Sequence, residues 1–348
     1  MMPRFPATRF QGSKRKILPE IAALLNNERC DFVIDLYSGS GIVSLLFRYL
    51  GKTVLANDYL KYNQNTAGLF LTFSKSELAE LDAEADLNFL LRHVPDGRKS
   101  IVSDEFAGVY FTESENAEID NFCHNINEYA GFKKSLYIYA VGQALIKKRP
   151  YNLFHRANLD MRLKDVKRSF GNARTWETAI GEHALKCIKE LAALPELGDK
   201  GNKAISVDTA NIESFPQHYD IVYMDPPYIN GKLVPVNYSN FYHFLEGLCN
   251  YELYLKNDKR YPHRPIVNFD SAWHKRDSAL AMLERICKHF SRSTIIMSYR
   301  SDGVPTPDEM AELMRSCGRT VEVHSAGEYQ YALSKNNLNE EIFIIARP

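Results

Sequence analysis

No apolar run in this chain approaches the roughly eighteen residues that a membrane-spanning helix requires, so no integral membrane protein is expected. The opening Met-Met-Pro-Arg-Phe-Pro lacks the apolar core of a signal peptide, and a cytoplasmic location follows as an expectation. The six cysteines, at 30, 123, 187, 249, 287 and 317, include no CxxC pair. Cys123-His124 and Cys287-Lys288-His289 lack zinc-site spacing, so these thiols read as reduced core residues and no metal is expected. Net charge is absent too: 43 basic residues balance 43 acidic ones. A polyanion would therefore have to be met by a local basic face. Internal repeats and low-complexity stretches are missing, which excludes solenoids and disordered arrays. What remains is 348 residues of 45% hydrophobic content, enough for a sizeable core in one large domain or two.

The N-terminal third holds a strand, turn and helix pattern. Phe32 to Leu36 is a strand, Tyr37-Ser38-Gly39-Ser40-Gly41 a tight turn, and Ile42 to Phe47 the start of a helix. Glycines there let a ligand approach the backbone closely. The third glycine of a dinucleotide fingerprint is missing, and Ser44 stands in its place, which argues against NAD or FAD. A second strand, Thr53 to Ala56, ends at Asn57-Asp58, where an acidic residue can accept hydrogen bonds from ribose hydroxyls. An ordinary strand-end turn is the plainer alternative for Asp58.

The most specific signal lies further on. Tyr219 to Met224 has the length and β-branched content of a buried strand, and Asp225-Pro226-Pro227-Tyr228 follows it. Two prolines fix φ and remove two N–H donors, so the strand ends in a rigid open loop. A carboxylate, a bare carbonyl and an aromatic ring then stand at a sheet's C-terminal edge. An exocyclic base amine needs that set: Asp225 and the Pro226 carbonyl accept its two N–H bonds, and Tyr228 stacks on the ring. An Asp-Pro turn that only closes a strand is the alternative.

These pieces, with Arg9 to Pro19, Ser206-Val207-Asp208, Phe241 to Glu246 and Ser298 to Gly303, resemble the Dam-like, group α, S-adenosylmethionine-dependent DNA N6-adenine methyltransferases. The resemblance implies an α/β fold: a Rossmann-like methyltransferase sheet with a terminal antiparallel hairpin strand, plus a mainly helical inserted target-recognition domain. It places the catalytic domain at 1–67 and 203–348 and the insert at 68–202. It implies S-adenosyl-L-methionine as cofactor, contacted by Phe10 and Lys14 and by the turn of Asp35, Tyr37, Ser38, Gly39 and Gly41. Asp58 would hold the ribose, Asp208 would lie near the cofactor's adenine, and Asp225 would be catalytic, close to the methionine end. Ser13, where a second glycine is frequent, is a small departure from the family pattern.

Double-stranded DNA is the partner this implies, met by a monomer, with a cognate restriction endonuclease as a further expected partner. One stretch offers a basic face. Lys148, Arg149, Arg156, Arg162, Lys164, Lys167, Arg168 and Arg174 face only Asp160 and Asp165 between 147 and 174, too one-signed for internal pairing. A solvated helical face is the alternative.

The helical signals of the insert are Leu69 to Leu91 with a second start near Ser74, a capping box at Thr112 to Glu115, Ser135 to Ile146 and Trp176 to Leu194. Beyond the catalytic loop come helices over 244–254, 271–289 and 308–317 and a strand over 293–298. The chain closes with a hairpin of 328–333 and 341–346. C5-cytosine methylation needs a nucleophilic cysteine after a proline, and none of the six follows one. RNA N6-adenine and DNA N4-cytosine methylation stay open, as does a non-catalytic nucleic-acid-binding module, although the module gives no reason for Asp58, Asp208 and Asp225 to stand at strand ends.

Overall fold

The structure, a computed structural model, describes residues 5–26, 28–164, 172–198, 200–231, 233–267, 269–328 and 340–348, without the side chains of Asn172 and 326–328. The chain divides into two units. A sheet unit comprises Gln11–Thr72, Leu197–Asn237 and Asp270–Pro348. A helical unit comprises Met1–Phe10, Phe73–Glu196 and Tyr238–Phe269.

The sheet has seven strands: β1 (Phe32–Asp35), β2 (Thr53–Asn57), β3 (Lys203–Ile205), β4 (Ile221–Met224), β5 (Thr294–Arg300), β6 (Thr320–Glu328) and β7 (Glu340–Arg347). Their order is β3-β2-β1-β4-β5-β7-β6, with β7 antiparallel to both neighbours and the other pairs parallel. This is the expected Rossmann-like sheet with its terminal antiparallel strand. Strand β4 reads Ile-Val-Tyr-Met and is buried throughout, as a parallel strand covered on both faces must be. Ile34, Val222, Met224, Ile295 and Met297 pack with Leu283, Ile286 and Trp273 in the core of this unit. Each such apolar side chain contributes about 1.5–3 kcal/mol on burial. The order reverses between β1 and β4, so the loops leaving those two strands border the crevice where open α/β sheets bind ligands.

The helical unit is held by aromatic packing. Phe154 stacks on Phe244 at 5.2 Å, and Phe106 meets Phe244 edge-on at 5.1 Å. The expected capping box is present: Thr112 and Glu115 cap each other's backbone at the start of Glu113–Asn125. Helices Gly131–Lys148 and Ile180–Ala192 lie on the expected apolar stretches.

Several boundaries differ from the sequence reading. Leu69 to Leu91 holds the end of Lys61–Thr72 and then two further helices, Lys75–Ala79 and Ala83–Arg92, each begun by a side-chain cap on Ser74 or Asp82. The helix expected over 244–254 runs over Tyr238–Cys249 and gives way to a 3-10 turn at Tyr251–Lys256. The hairpin's first strand is β6, upstream of the expected 328–333, of which 329–333 lie outside the described residues. Its side chains Glu322, Val323, His324 and Ser325 are exposed at the sheet's edge, so no apolar run marked it.

Candidate active site

The turn after β1 is shaped by backbone conformations that favour glycine. Gly39 and Gly41 have φ of 48° and 71°. A Cβ on Gly41 would stand 3.1 Å from both Ala67 Cα and Phe70 Cδ2, so a side chain there would be crowded as well as strained by the backbone. Asp58 secures the turn from the next strand: its Oδ2 accepts the Gly39 N–H at 2.9 Å, and its Oδ1 accepts the Leu60 N–H at 2.9 Å. Asn57 joins the neighbouring loops, donating to the Leu36 and Val207 carbonyls at 3.1 Å each. Ser44, where a dinucleotide fingerprint would carry glycine, donates its hydroxyl to Asp35 Oδ2 at 2.6 Å. Among the described residues, the other oxygen, Asp35 Oδ1, and the buried Ser38 hydroxyl have no hydrogen-bond partner. Burial pushes the Asp35 carboxyl up to about 7, and that of Asp58 up to about 6, against the hydrogen bonds that oppose it.

Across the crevice, Asp225 follows β4 and is paired. Lys14 Nζ lies 2.8 Å from Asp225 Oδ2 and 3.3 Å from Glu341 Oε1. Lys14 and Glu341 are buried, whereas the Asp225 side chain keeps 26% of its surface exposed. Its Oδ1 has no hydrogen-bond partner among the described residues. Burial raises the Asp225 carboxyl, and Lys14 works against that rise. The Pro226 carbonyl accepts no hydrogen bond from a described residue. One carboxylate oxygen and one carbonyl are thus left to accept.

Tyr228 is fixed by Arg300, which lies in the Ser298 to Gly303 segment but was given no role by the sequence. Arg300 Nη1 donates to the Tyr228 hydroxyl at 3.0 Å, and its guanidinium lies 4.9 Å from the ring centroid. Asp302 holds that guanidinium through two bonds, at 2.7 and 2.8 Å. The loop beyond is pinned as well, by Val236 N–H to the Tyr228 carbonyl and Val304 N–H to the Ile229 carbonyl, both at 2.9 Å.

The remaining expected residues separate. Tyr37 accepts a hydrogen bond from Trp273 Nε1 at 2.7 Å, which anchors the start of the turn. Asp208 stands three residues beyond β3 and accepts the Ala210 N–H at 2.8 Å as the cap of a 3-10 turn. Phe10 belongs to the helical unit, where its ring stacks on Tyr242 at 4.1 Å and Tyr238 at 5.7 Å.

The basic stretch needs correction. Lys148, Arg149 and Arg162 are buried and engaged within the helical unit. Lys148 Nζ donates to the Trp176 carbonyl at 2.6 Å and to that of Thr178, and pairs with Glu115 at 3.0 Å. Arg162 pairs with the same Glu115 at 2.7 Å. Arg149 donates to the carbonyls of Tyr110, Leu153, Arg156 and Ala157 and lies over the Tyr110 ring at 4.4 Å. These three cations satisfy the fold and do not face a phosphate. Internal pairing looked excluded because Glu115 is remote in sequence and carbonyl acceptors carry no formal charge. Arg156, Lys164 and Arg174 are exposed; Lys167 and Arg168 lie outside the described residues.

No curated protein sequence matches the chain. Among solved structures, the rRNA methyltransferase aviRa from Streptomyces viridochromogenes is 11% identical over 99% of this chain and 88% of that one. Its TM-score is 0.32, too distant a likeness to bear on substrate. The family model of the D12 class N6 adenine-specific DNA methyltransferases matches residues 10–86. That span includes Phe10, Lys14, the glycine turn and Asp58, and stops short of the Asp225 loop. Through residues 10–86 the chain thus matches the D12 class of N6 adenine-specific DNA methyltransferases, the family that its motifs resemble.

Proposed function

We propose that this chain transfers a methyl group from S-adenosylmethionine to N6 of an adenine flipped out of duplex DNA. The observation that carries the reading is the edge of β4, where Asp225 has one oxygen on Lys14 and one open, beside the open Pro226 carbonyl. The family match over residues 10–86 supports it.

The glycine turn fits the cofactor on its own chemistry. S-adenosylmethionine supplies an activated methyl group on a sulfonium centre and carries a second cationic group. Asp35 Oδ1, a buried carboxylate oxygen with no partner among the described residues, suits a cationic donor, and the Ser38 hydroxyl, likewise without one among them, can donate or accept. The Gly39–Gly41 backbone allows close approach. Asp58, already bonded to two backbone amides, retains lone pairs for ribose hydroxyls.

At the target, Asp225 and the Pro226 carbonyl accept the two hydrogens of the exocyclic amine. That nitrogen is a poor nucleophile because its lone pair is delocalised into the ring. Two acceptors favour a pyramidal nitrogen and stabilise the positive charge that develops on it. Tyr228, held by Arg300, stacks on the base. Extrusion is required because a base stacked in the duplex cannot present its amine in line with the methyl donor. We assign target recognition to the helical unit, with Arg156 and Arg174 exposed there and Lys164, Lys167 and Arg168 in the same basic stretch.

Methyl transfer from labelled cofactor to duplex DNA, with the modified base identified by mass spectrometry, tests the reading. N6-methyladenine is the expected product, and Asp225→Ala should abolish its formation while far-UV dichroism stays unchanged. Methylcytosine as product, or wild-type turnover by the Asp225 variant, would overturn it.

A further inference from the structure

We propose that Glu341 is a positioning residue for this reaction: by sharing the Lys14 ammonium with Asp225, it keeps that cation from neutralising the catalytic carboxylate completely. The inference rests on the reading of Asp225 as the acceptor of the target amine.

Glu341 is 0% exposed and lies near the start of β7, followed by the apolar run Ile342-Phe343-Ile344-Ile345. Packing gives no reason for a carboxylate there, and a buried charge is tolerated only when paired. Among its partners are Lys14 Nζ at 3.3 Å and the Ser298 hydroxyl, which donates to the same oxygen, Oε1. Ser298 lies on β5, which pairs with β7, so Glu341 is held on one side by the sheet itself. On the other side Lys14 faces two carboxylates at once, at 2.8 and 3.3 Å. One ammonium cannot neutralise both, so with both ionised the trio carries a net negative charge. That excess suits a site where positive charge grows on the substrate amine.

The consequence for Asp225 follows from competition. A Lys14 committed to Asp225 alone would make that carboxylate a weaker acceptor. Glu341 draws the ammonium partly away and repels a second negative charge, and both effects raise the basicity of Asp225. Other titratable groups acting here include Asp35 at the end of β1, which Asp225 raises in turn, Tyr223 on β4, and Tyr228, which Lys14 also reaches.

The test replaces Glu341 with Gln in the full chain, preserving shape and an acceptor for Ser298. The carboxyl carbon-13 resonance of Asp225, assigned by its loss in Asp225→Asn, is titrated without cofactor or DNA. Its midpoint should fall by about one pH unit in Glu341→Gln. In turnover, kcat should fall roughly tenfold while KM for cofactor and for DNA stays put, since an acceptor acting only in the transition state is weakened. Ser298→Ala supplies the opposite sign: Glu341 loses a donor, grips Lys14 harder, and the Asp225 midpoint should rise. If Glu341→Gln does not fold, that upward shift decides the matter. An unmoved midpoint in folded Glu341→Gln, or in Ser298→Ala when the Gln variant is unfolded, overturns the inference and assigns Glu341 a purely structural role. Because the titration needs no substrate, its failure is distinct from an absence of adenine methylation in the wild type, which would refute the underlying reading instead.

Discussion

Arg300 ties down Tyr228 in two ways, by a 3.0 Å bond to its hydroxyl and by a guanidinium 4.9 Å from its ring. A ring that must receive a flipped base gains from being fixed beforehand, since the ordering cost is then met in folding rather than at binding. Removing the ring by Tyr228→Ala should slow methylation by about 1–3 kcal/mol, or roughly 5- to 150-fold. Tyr228→Phe keeps the ring and loses the tether, so its loss should be several times smaller. Arg300→Met should resemble Tyr228→Phe in kcat, and adding it to Tyr228→Phe should cost little more. Independent, multiplying effects in that double mutant would show that Arg300 does not act through Tyr228.

Asp58 has two tasks, holding the glycine turn and accepting from a ribose. Asp58→Ala removes an ionised acceptor, and cofactor binding measured by calorimetry should weaken by about 1.5–3 kcal/mol. Asp58→Asn keeps an acceptor for one backbone amide and should fall between the two. Unchanged affinity in the alanine variant would remove Asp58 from the cofactor site.

Asp35 predicts a pH signature. Its carboxyl is raised from 3.8 to about 7 by burial, so its contribution to stability is full below about pH 4 and is lost as pH rises through 7. Asp35→Asn keeps the shape and cannot ionise. Without cofactor, the variant should melt close to the wild type near about pH 4 and exceed it in stability near about pH 8, by up to about 4 kcal/mol. A stability difference that is flat over that range would mean Asp35 titrates as an ordinary carboxylate.

The basic residues of the helical unit should separate into two groups. Charge removal at Arg156 and Arg174 together should weaken DNA binding and flatten its salt dependence by about two units of slope at most, without changing melting temperature. Lys148→Met and Arg162→Met should instead destabilise the protein by about 3–5 kcal/mol, because Glu115 would lose a buried partner. Equal stability losses at Arg156 and Lys148 would refute the division.

The sequence alone specified what depends on local order. The apolar runs at Val33-Ile34 and Ile221 to Met224, the glycine turn, the double proline and the capping box at Thr112 each act over a few neighbouring residues, and each was legible. The edge strand β6 was not, because solvent on its outer side lets it carry Glu322, His324 and Ser325 in place of an apolar pattern. Nor could composition show that Lys148, Arg149 and Arg162 are internal, since their acceptors are a distant carboxylate and uncharged carbonyls. Lys14 and Asp225 were each marked by the sequence, but their meeting with each other and with Glu341 was not. The three are far apart in sequence: the pairing of β4, β5 and β7 in one sheet sets Asp225 and Glu341 near each other, and Lys14 meets both from the 3-10 turn Lys14–Ile17. Local propensity sets which strands and turns form; which charges meet is set by the order of the strands, and that exists only once the sheet has closed.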